Sequence, residues 1–113
     1  MLSKAHRLTK QTDFSRLARQ GRPFYSSLFT TKVKANDLTV SRFGLVISKK
    51  ISKKAVERNR LKRQLAELIR LNLDDIKPGL DFMILVKAAA LGKDYLQLEA
   101  DFLQLIKKAK LNV

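Results

Sequence analysis

Between Arg42 and Arg63 the bases Arg42, Lys49, Lys50, Lys53, Lys54, Arg58, Arg60, Lys62 and Arg63 are opposed by a single acid, Glu57. The chemistry open to such residues is electrostatic. The planar fork of an Arg grips a phosphate through two hydrogen bonds and stacks on an exposed base, while a Lys supplies a mobile point charge. Asn59, set between Arg58 and Arg60, adds an amide that can pair with a base edge or a sugar.

Covalent and metal chemistry have little to work with. The chain has no Cys, which excludes disulfides, thiolate metal sites and a thiol nucleophile. His6 has no second imidazole with which to share a metal or relay a proton. A protein nuclease would need clustered carboxylates around a metal. The only adjacent acidic pair, Asp74-Asp75, falls near a helix end, where exposure accounts for it. No catalytic residue and no metal ligand is assigned to the protein.

The whole composition points the same way. The 113 residues carry 24 Lys and Arg against 10 Asp and Glu, a formal net charge of +14. Such a surplus costs stability by self-repulsion unless a polyanion neutralises it. A purely solvated face would be expected to carry balancing acids, and this one does not. Nucleic acid is preferred over membrane, because the longest apolar run, Phe82-Met83-Ile84-Leu85-Val86, is far shorter than the roughly 20 residues that span a bilayer. The first residues lack the continuous apolar stretch of a secretory signal. A cytoplasmic location follows by default, and no obligate protein partner is evident. Apolar residues make up 45% of the chain, enough for a core, and the length predicts a single RNA-binding domain over residues 1–113.

The elements that must position the cations are legible from periodicity. Thr12 as N-cap and Gly21 as stop enclose Phe14, Leu17 and Ala18 at helical spacing, a short amphipathic helix. Residues 25–34 alternate with a period of two and read as a strand; Ala35-Asn36-Asp37 is a turn signal. Residues 43–47 form a second strand, expected to pair antiparallel with the first. From about 53 to 72 a helix places Leu61, Leu65, Leu68 and Ile69 on one side. Pro78-Gly79 precedes the apolar run 80–86, expected of a strand covered on both faces or central in its sheet. Residues 93–110 close the chain as an amphipathic helix with a basic end. The order α-β-β-α-β-α describes an α/β (α+β) two-layer sandwich, a small mixed sheet with helices. The stretch from the second strand through the long helix to the third is long enough for a crossover joining parallel strands.

On the wheel of the long helix Asn59, Arg63 and Arg70 form one stripe, bordered by Arg60 on one side, with Lys62 directed away on the other. Arg58 falls beside Leu65 and Ile69, so it must project past the core edge or find a partner. Phe14 and Ala18, with Phe29, Thr31 and Lys32, are candidates for a groove that has this stripe as its third wall. Rings, small polar groups and cations are what an unpaired strand needs. The competing reading of Phe14 and Phe29 is core, which is the usual place for Phe at such spacings.

Arg42-Phe43-Gly44-Leu45-Val46-Ile47-Ser48-Lys49-Lys50, followed by Ala55-Val56-Glu57-Arg58-Asn59-Arg60-Leu61-Lys62-Arg63, resembles the signature of the bacterial ribonuclease P protein component. A strand with R-x-G-L, a Ser-Lys-Lys exit and a helix with R-N-R-x-K-R make a specific match. Arg7-Leu8-Thr9, Asp13-Phe14, Gly21 and Asp81-Phe82 extend it over nearly the whole chain.

The resemblance implies a protein that assists a catalytic RNA, itself the main holder of Mg²⁺, in the endonucleolytic removal of the 5′ leader from precursor tRNA. It implies that Lys49, Lys50, Lys53, Lys54, Arg58, Asn59, Arg60, Lys62 and Arg63 meet the catalytic RNA. The leader would meet Phe14, Ala18, Phe29, Thr31, Lys32, Asn59, Arg63 and Arg70. It also implies a left-handed crossover between the parallel strands, against the usual rule. Two departures stand out: family members often carry a second Phe where this chain has Ala18, and an Arg where it has Ala66. Arg70 is the residue available to replace that charge. The alternative is a structural RNA-binding protein, such as a ribosomal one, with no part in cleavage; it shares the charge but not the motif.

Overall fold

In the computed structural model, which describes residues 2–113, the chain forms α1 (Gln11–Gln20), β1 (Arg22–Tyr25), β2 (Phe29–Ala35), β3 (Arg42–Val46), α2 (Ala55–Leu71), β4 (Leu80–Val86) and α3 (Tyr95–Lys108). Short 3-10 turns lie at Lys4–His6, Leu73–Asp75 and Ala88–Ala90. This is the expected mixed α+β architecture, a small mixed sheet with three helices, with one strand more than periodicity foretold.

The extra strand is β1. The alternation that reads as one strand over residues 25–34 is broken at residues 26–28, where Ser26 Oγ accepts from Phe29 N–H at 3.1 Å and the Ser26 N–H donates to the Phe29 carbonyl. Tyr25 therefore ends β1, which returns as an antiparallel hairpin on β2. Serines in a turn mimic strand alternation because they are small and polar on either face.

The sheet order is β1-β2-β4-β3, so the expected antiparallel pair of β2 with β3 does not form. β4 lies between them, antiparallel to β2 and parallel to β3. The physical reason is its composition: an almost wholly apolar strand gains most by being covered on both faces, and the centre of the sheet offers that. The parallel partner requires a crossover, and α2 provides it.

Two helix starts illustrate different solutions. α3 has Asp94 at its N-cap, accepting from Gln97 N–H, with the Gln97 side chain returning to Asp94 N–H as a capping box. α1 begins one residue before Thr12, and Lys10 at its N-cap offers no side-chain acceptor; Asp13 in the first turn suits the helix dipole instead. Gly21 does end α1, in extended rather than left-handed backbone. It is Gly because a Cβ there would stand 2.6 Å from the Leu17 carbonyl oxygen and 3.0 Å from Lys32 Cβ.

The two faces of the sheet are packed unequally. Phe29, Val33, Phe43, Phe82, Ile84 and Val86 meet Leu61, Leu65, Leu68 and Ile69 of α2 and Leu98, Phe102, Leu105 and Ile106 of α3 in the main core. Phe29 and Phe102 meet edge to face at 6.3 Å, and Phe43 stacks on Phe82 at 4.8 Å. On the other face α1 sits alone over a small cluster of Leu8, Leu17 and Met83, edged by Phe14, Val46 and Leu85.

α1 is tied down at two points. The Phe14 ring lies directly on Gly44, so closely that a Cβ at position 44 would fall 2.4 Å from its Cε1 atom. Near the start of β3, Arg42 donates from Nε and Nη2 to the two carboxylate oxygens of Asp81 at 2.8 and 2.6 Å, and its Nη1 stands 3.5 Å from Asp13 of α1. Asn36 completes the cluster by donating to Asp81 at 2.9 Å. Asp81 is only 8% exposed and Arg42 is half-buried, so this bidentate pair joins β3, β4 and α1 with its carboxylate largely out of water.

Removing Arg42 strands the Asp81 carboxylate. Arg42→Ala should lower unfolding free energy by about 3 kcal/mol in urea titration, with the denaturant slope unchanged. The hydrogen bond to Asp81 raises the Arg42 guanidinium above its ordinary value. A raised cation keeps its stabilisation below its unfolded value and loses it only as pH rises through the folded one, so from the guanidinium side the loss should not vary across the neutral range. Gly44→Ala should cost about 1–3 kcal/mol by driving the Phe14 ring off the sheet. Combining it with Phe14→Ala should recover part of that loss relative to the sum of the single changes, as a thermal-melt double-mutant cycle would register.

Candidate nucleic-acid interface

The approach to α2 is a cationic turn pinned from within. Lys49, Lys50, Lys53 and Lys54 are exposed, while Ser52 between them is buried. Ser52 Oγ donates to Glu57 Oε1 at 2.6 Å and accepts from Lys54 N–H at 3.2 Å, standing in for the missing side-chain cap at Lys54. Its carbonyl accepts from Arg58 Nη1 at 2.8 Å. The partner of Arg58 is thus a backbone carbonyl; the side chain folds back over the helix start and holds the lysine turn in place. Glu57, the lone acid of the segment, is engaged there too.

Past this point the helix sends its cations two ways, as its wheel requires. Lys62 and Arg63 line a 340 Å³ cleft with Arg7, Leu8, Thr9, Phe14, Phe43, Gly44, Leu45 and Ala66. This cleft opens at the β3 edge of the sheet, where the Leu8 N–H donates to the Phe43 carbonyl and the N-terminal segment runs beside the strand. Arg60 turns the other way, toward the start of α3, beside Glu57, Gln64, Leu91 and Lys93. Asn59 is exposed on the outer side. Arg70 stands further along α2 in a bidentate pair with Glu67, to which its Nε donates at 3.2 Å. That hydrogen bond holds the Glu67 carboxyl below its usual range and raises the Arg70 guanidinium. Arg70 is therefore already engaged, and the lining of the Phe14 cleft includes Arg63 but not Arg70.

The face of the sheet under α1 holds the second part of the site. Phe14 is half-buried between the β3-edge cleft and a 430 Å³ groove lined by Gln11, Phe14, Ser15, Ala18, Val46 and Met83. Lys32 reaches this face and donates from Nζ to the Ala18 carbonyl at 2.6 Å, capping the end of α1. Phe14, Ala18 and Lys32 are thus brought together as expected.

Phe29 and Thr31 are not: contrary to expectation, neither lines the groove. Both are 0% exposed, and Phe29 belongs to the main core on the opposite face. The period of two that marks β2 as a strand also forbids Phe29 and Thr31 from sharing a face with Lys32. Thr31 Oγ1 has no hydrogen-bond partner among the described residues. Sequence reasoning missed Gly44, Val46 and Met83 as walls of the site, and Arg7 and Thr9 at its mouth. Alternation within β3 and β4 carries no mark of which apolar face stays open.

Among the described residues no group of three or more His, Asp or Glu could hold a metal ion. Asp13 and Asp81 are drawn to Arg42 instead. Among them, too, no helix is long and apolar enough to cross a membrane.

The profile of the family named Ribonuclease P matches residues 2–110. A ribonuclease P protein component from Clostridium botulinum (strain Loch Maree / Type A3) is 35% identical over 107 residues, 94% of this chain and 96% of that one. Among solved structures, a Staphylococcus aureus RNase P protein mutant with defective mRNA degradation activity superposes with a TM-score of 0.88 at 28% identity, covering 96% of this chain and 91% of that one. The RNase P protein from Thermotoga maritima superposes with a TM-score of 0.83 at 27% identity, covering 90% and 96%. With the match running almost from end to end, through the Ser48-Lys49-Lys50 exit and the Arg58-Asn59-Arg60 helix, the chain belongs to the ribonuclease P protein family.

Proposed function

We propose that this chain is the protein subunit of a ribonuclease P ribonucleoprotein acting in tRNA 5′ processing, and that it bridges two RNAs. The catalytic RNA meets the exposed lysine turn and the outward side of α2, through Lys49, Lys50, Lys53, Lys54, Asn59 and Arg60, and reaches Lys62 at the edge of the Phe14 cleft. The 5′ leader of precursor tRNA enters between α1 and the open sheet face, past Phe14, Ala18 and Lys32, with Arg63 at the boundary of the two contacts. The single observation that carries this reading is that Lys62 and Arg63 share a cleft with Phe14, so phosphate-binding cations and a stacking ring open onto one space.

The contribution of the protein is electrostatic and geometric. Two polyanions must approach each other, and a chain of net charge +14 between them releases their counterions and lowers the repulsion. Mg²⁺ is held mainly by the RNA in this scheme. When bound, the ion supplies the activation of the hydrolytic water. The protein side chains bind, orient and hold RNA shape; they transfer no proton. A cytoplasmic setting fits this role. A ribosomal or other purely structural RNA-binding protein would share the charge but not the family.

Purified protein added to the catalytic RNA should accelerate cleavage of precursor tRNA at low salt and low Mg²⁺ over the RNA alone; absence of any enhancement would sink the proposal. Arg60→Ala and Arg63→Ala should each weaken affinity for the catalytic RNA by about 1 kcal/mol and flatten the salt slope of log K by about one unit. Filter binding across a salt series reads both quantities, and parallel, undisplaced curves would count against these contacts.

A further inference from the structure

The register of the sheet sets Tyr25, Thr30, Leu85 and Val46 side by side in one row crossing all four strands. Phe29 and Thr31 turn into the main core, so Thr30 and the rest of the row face the side on which α1 lies. α1 covers the neighbouring row, where Met83 is buried, Gly44 lies under Phe14, and Lys32 caps the helix. The Tyr25 row is left open. Thr30, Leu85 and Val46 are half-exposed, and Tyr25 at the β1 edge is 68% exposed.

Two ammonium groups flank the Tyr25 end of this row, each fixed by a carbonyl. Lys32 Nζ is 2.6 Å from the Ala18 oxygen on the α1 side, and Lys87 Nζ is 2.6 Å from the oxygen of Ser26, the residue after Tyr25. An ammonium carries three donors, so each keeps hydrogen-bonding capacity for a phosphate. A large exposed ring, with one held cation on the neighbouring strand and another bonded to the next residue's carbonyl, matches the requirement of an unpaired polynucleotide, whose bases stack on rings while its phosphates meet charge.

We propose that Tyr25 is a stacking platform for an unpaired nucleotide of the precursor's 5′ leader. The leader then crosses the sheet from the Phe14 cleft at the β3 edge to the β1 edge, a path of about 14 Å over three strand spacings. Its phosphates meet Lys32 and Lys87. Since Arg63 and the lysine turn lie at the β3 end, Tyr25 reads the part of the leader farther from the catalytic RNA. With Ala at position 18 of α1, the aromatic surface at this end of the sheet is supplied from β1. This inference rests on the leader being the strand that the groove receives, as proposed above.

The test uses ribonucleoprotein reconstituted from full-length protein and catalytic RNA, with two precursor tRNAs that differ only in leader length. Tyr25→Ala should weaken binding of the long-leader precursor by about fivefold or more and leave the short-leader precursor unchanged. Tyr25→Phe should bind as the parent does, and Tyr25→Leu should behave as Tyr25→Ala. Equal loss on both precursors, or no loss on either, overturns the assignment. A lowered melting temperature for Tyr25→Ala would overturn it as well, since the ring would then be packing rather than waiting for a base. If the parent complex itself ignores leader length, the leader reading of the groove fails, and the role of Tyr25 fails with it. That outcome is distinguishable because it appears before any substitution is made.

Discussion

Everything this chain presents to RNA hangs from the parallel pairing of β3 with β4, clamped near its start by Arg42 and Asp81. A parallel pair cannot be closed by a hairpin, so the chain must leave the end of β3, travel the length of a helix and return to the start of β4. The lysine turn and the Arg-rich start of α2 are the outgoing part of that journey. The clamp also reaches Asp13, which fixes α1 to the same strands. The helix that presents cations and the helix that presents Phe14 are therefore referred to one rigid pair of strands, so the helical part of the site does not depend on loop geometry for its precision.

The sheet serves two purposes with its two faces. One face is fully used by α2 and α3 and supplies most of the apolar burial. The other is only partly covered, because α1 is short and a single helix cannot span four strands. What α1 leaves uncovered is the surface proposed above to receive the leader. Gly44 shows how closely the compromise is set: the strand gives up a side chain so that Phe14 can lie on the backbone and still show an edge to both the cleft and the groove.

Charge is distributed by the same logic. Few acids are present, and several are consumed internally: Asp81 and Asp13 by Arg42, Glu57 by Ser52, Glu67 by Arg70, Asp101 by Ser26 and Leu28. The lysine turn keeps its cations exposed and unbalanced. Mutual repulsion there is a cost to the free protein that binding to a polyanion relieves, so affinity and salt sensitivity have one origin. Arg58 is the exception that makes the others useful, since it spends its guanidinium on the Ser52 carbonyl and thereby sets the angle of the turn.

The sequence by itself determined the element types, the apolar stripe of α2, the central burial of residues 80–86 and the identity of the cationic patch. Each of these is local: periodicity and charge density are properties of neighbouring residues. It also carried the motif that placed the chain in its family. Only the tertiary structure decided that β4 separates β2 from β3, that residues 22–25 form a strand of their own, and that Phe29 and Thr31 belong to the core while Lys32 faces α1. Alternation shows that a strand has two faces without showing which one a helix will cover. Arg70 likewise stands in the right stripe on a wheel, but its engagement is set by Glu67 three residues earlier. The open face, and so the full outline of the site, follows from how long α1 is relative to the sheet it must cover, a comparison that exists only once the chain has folded.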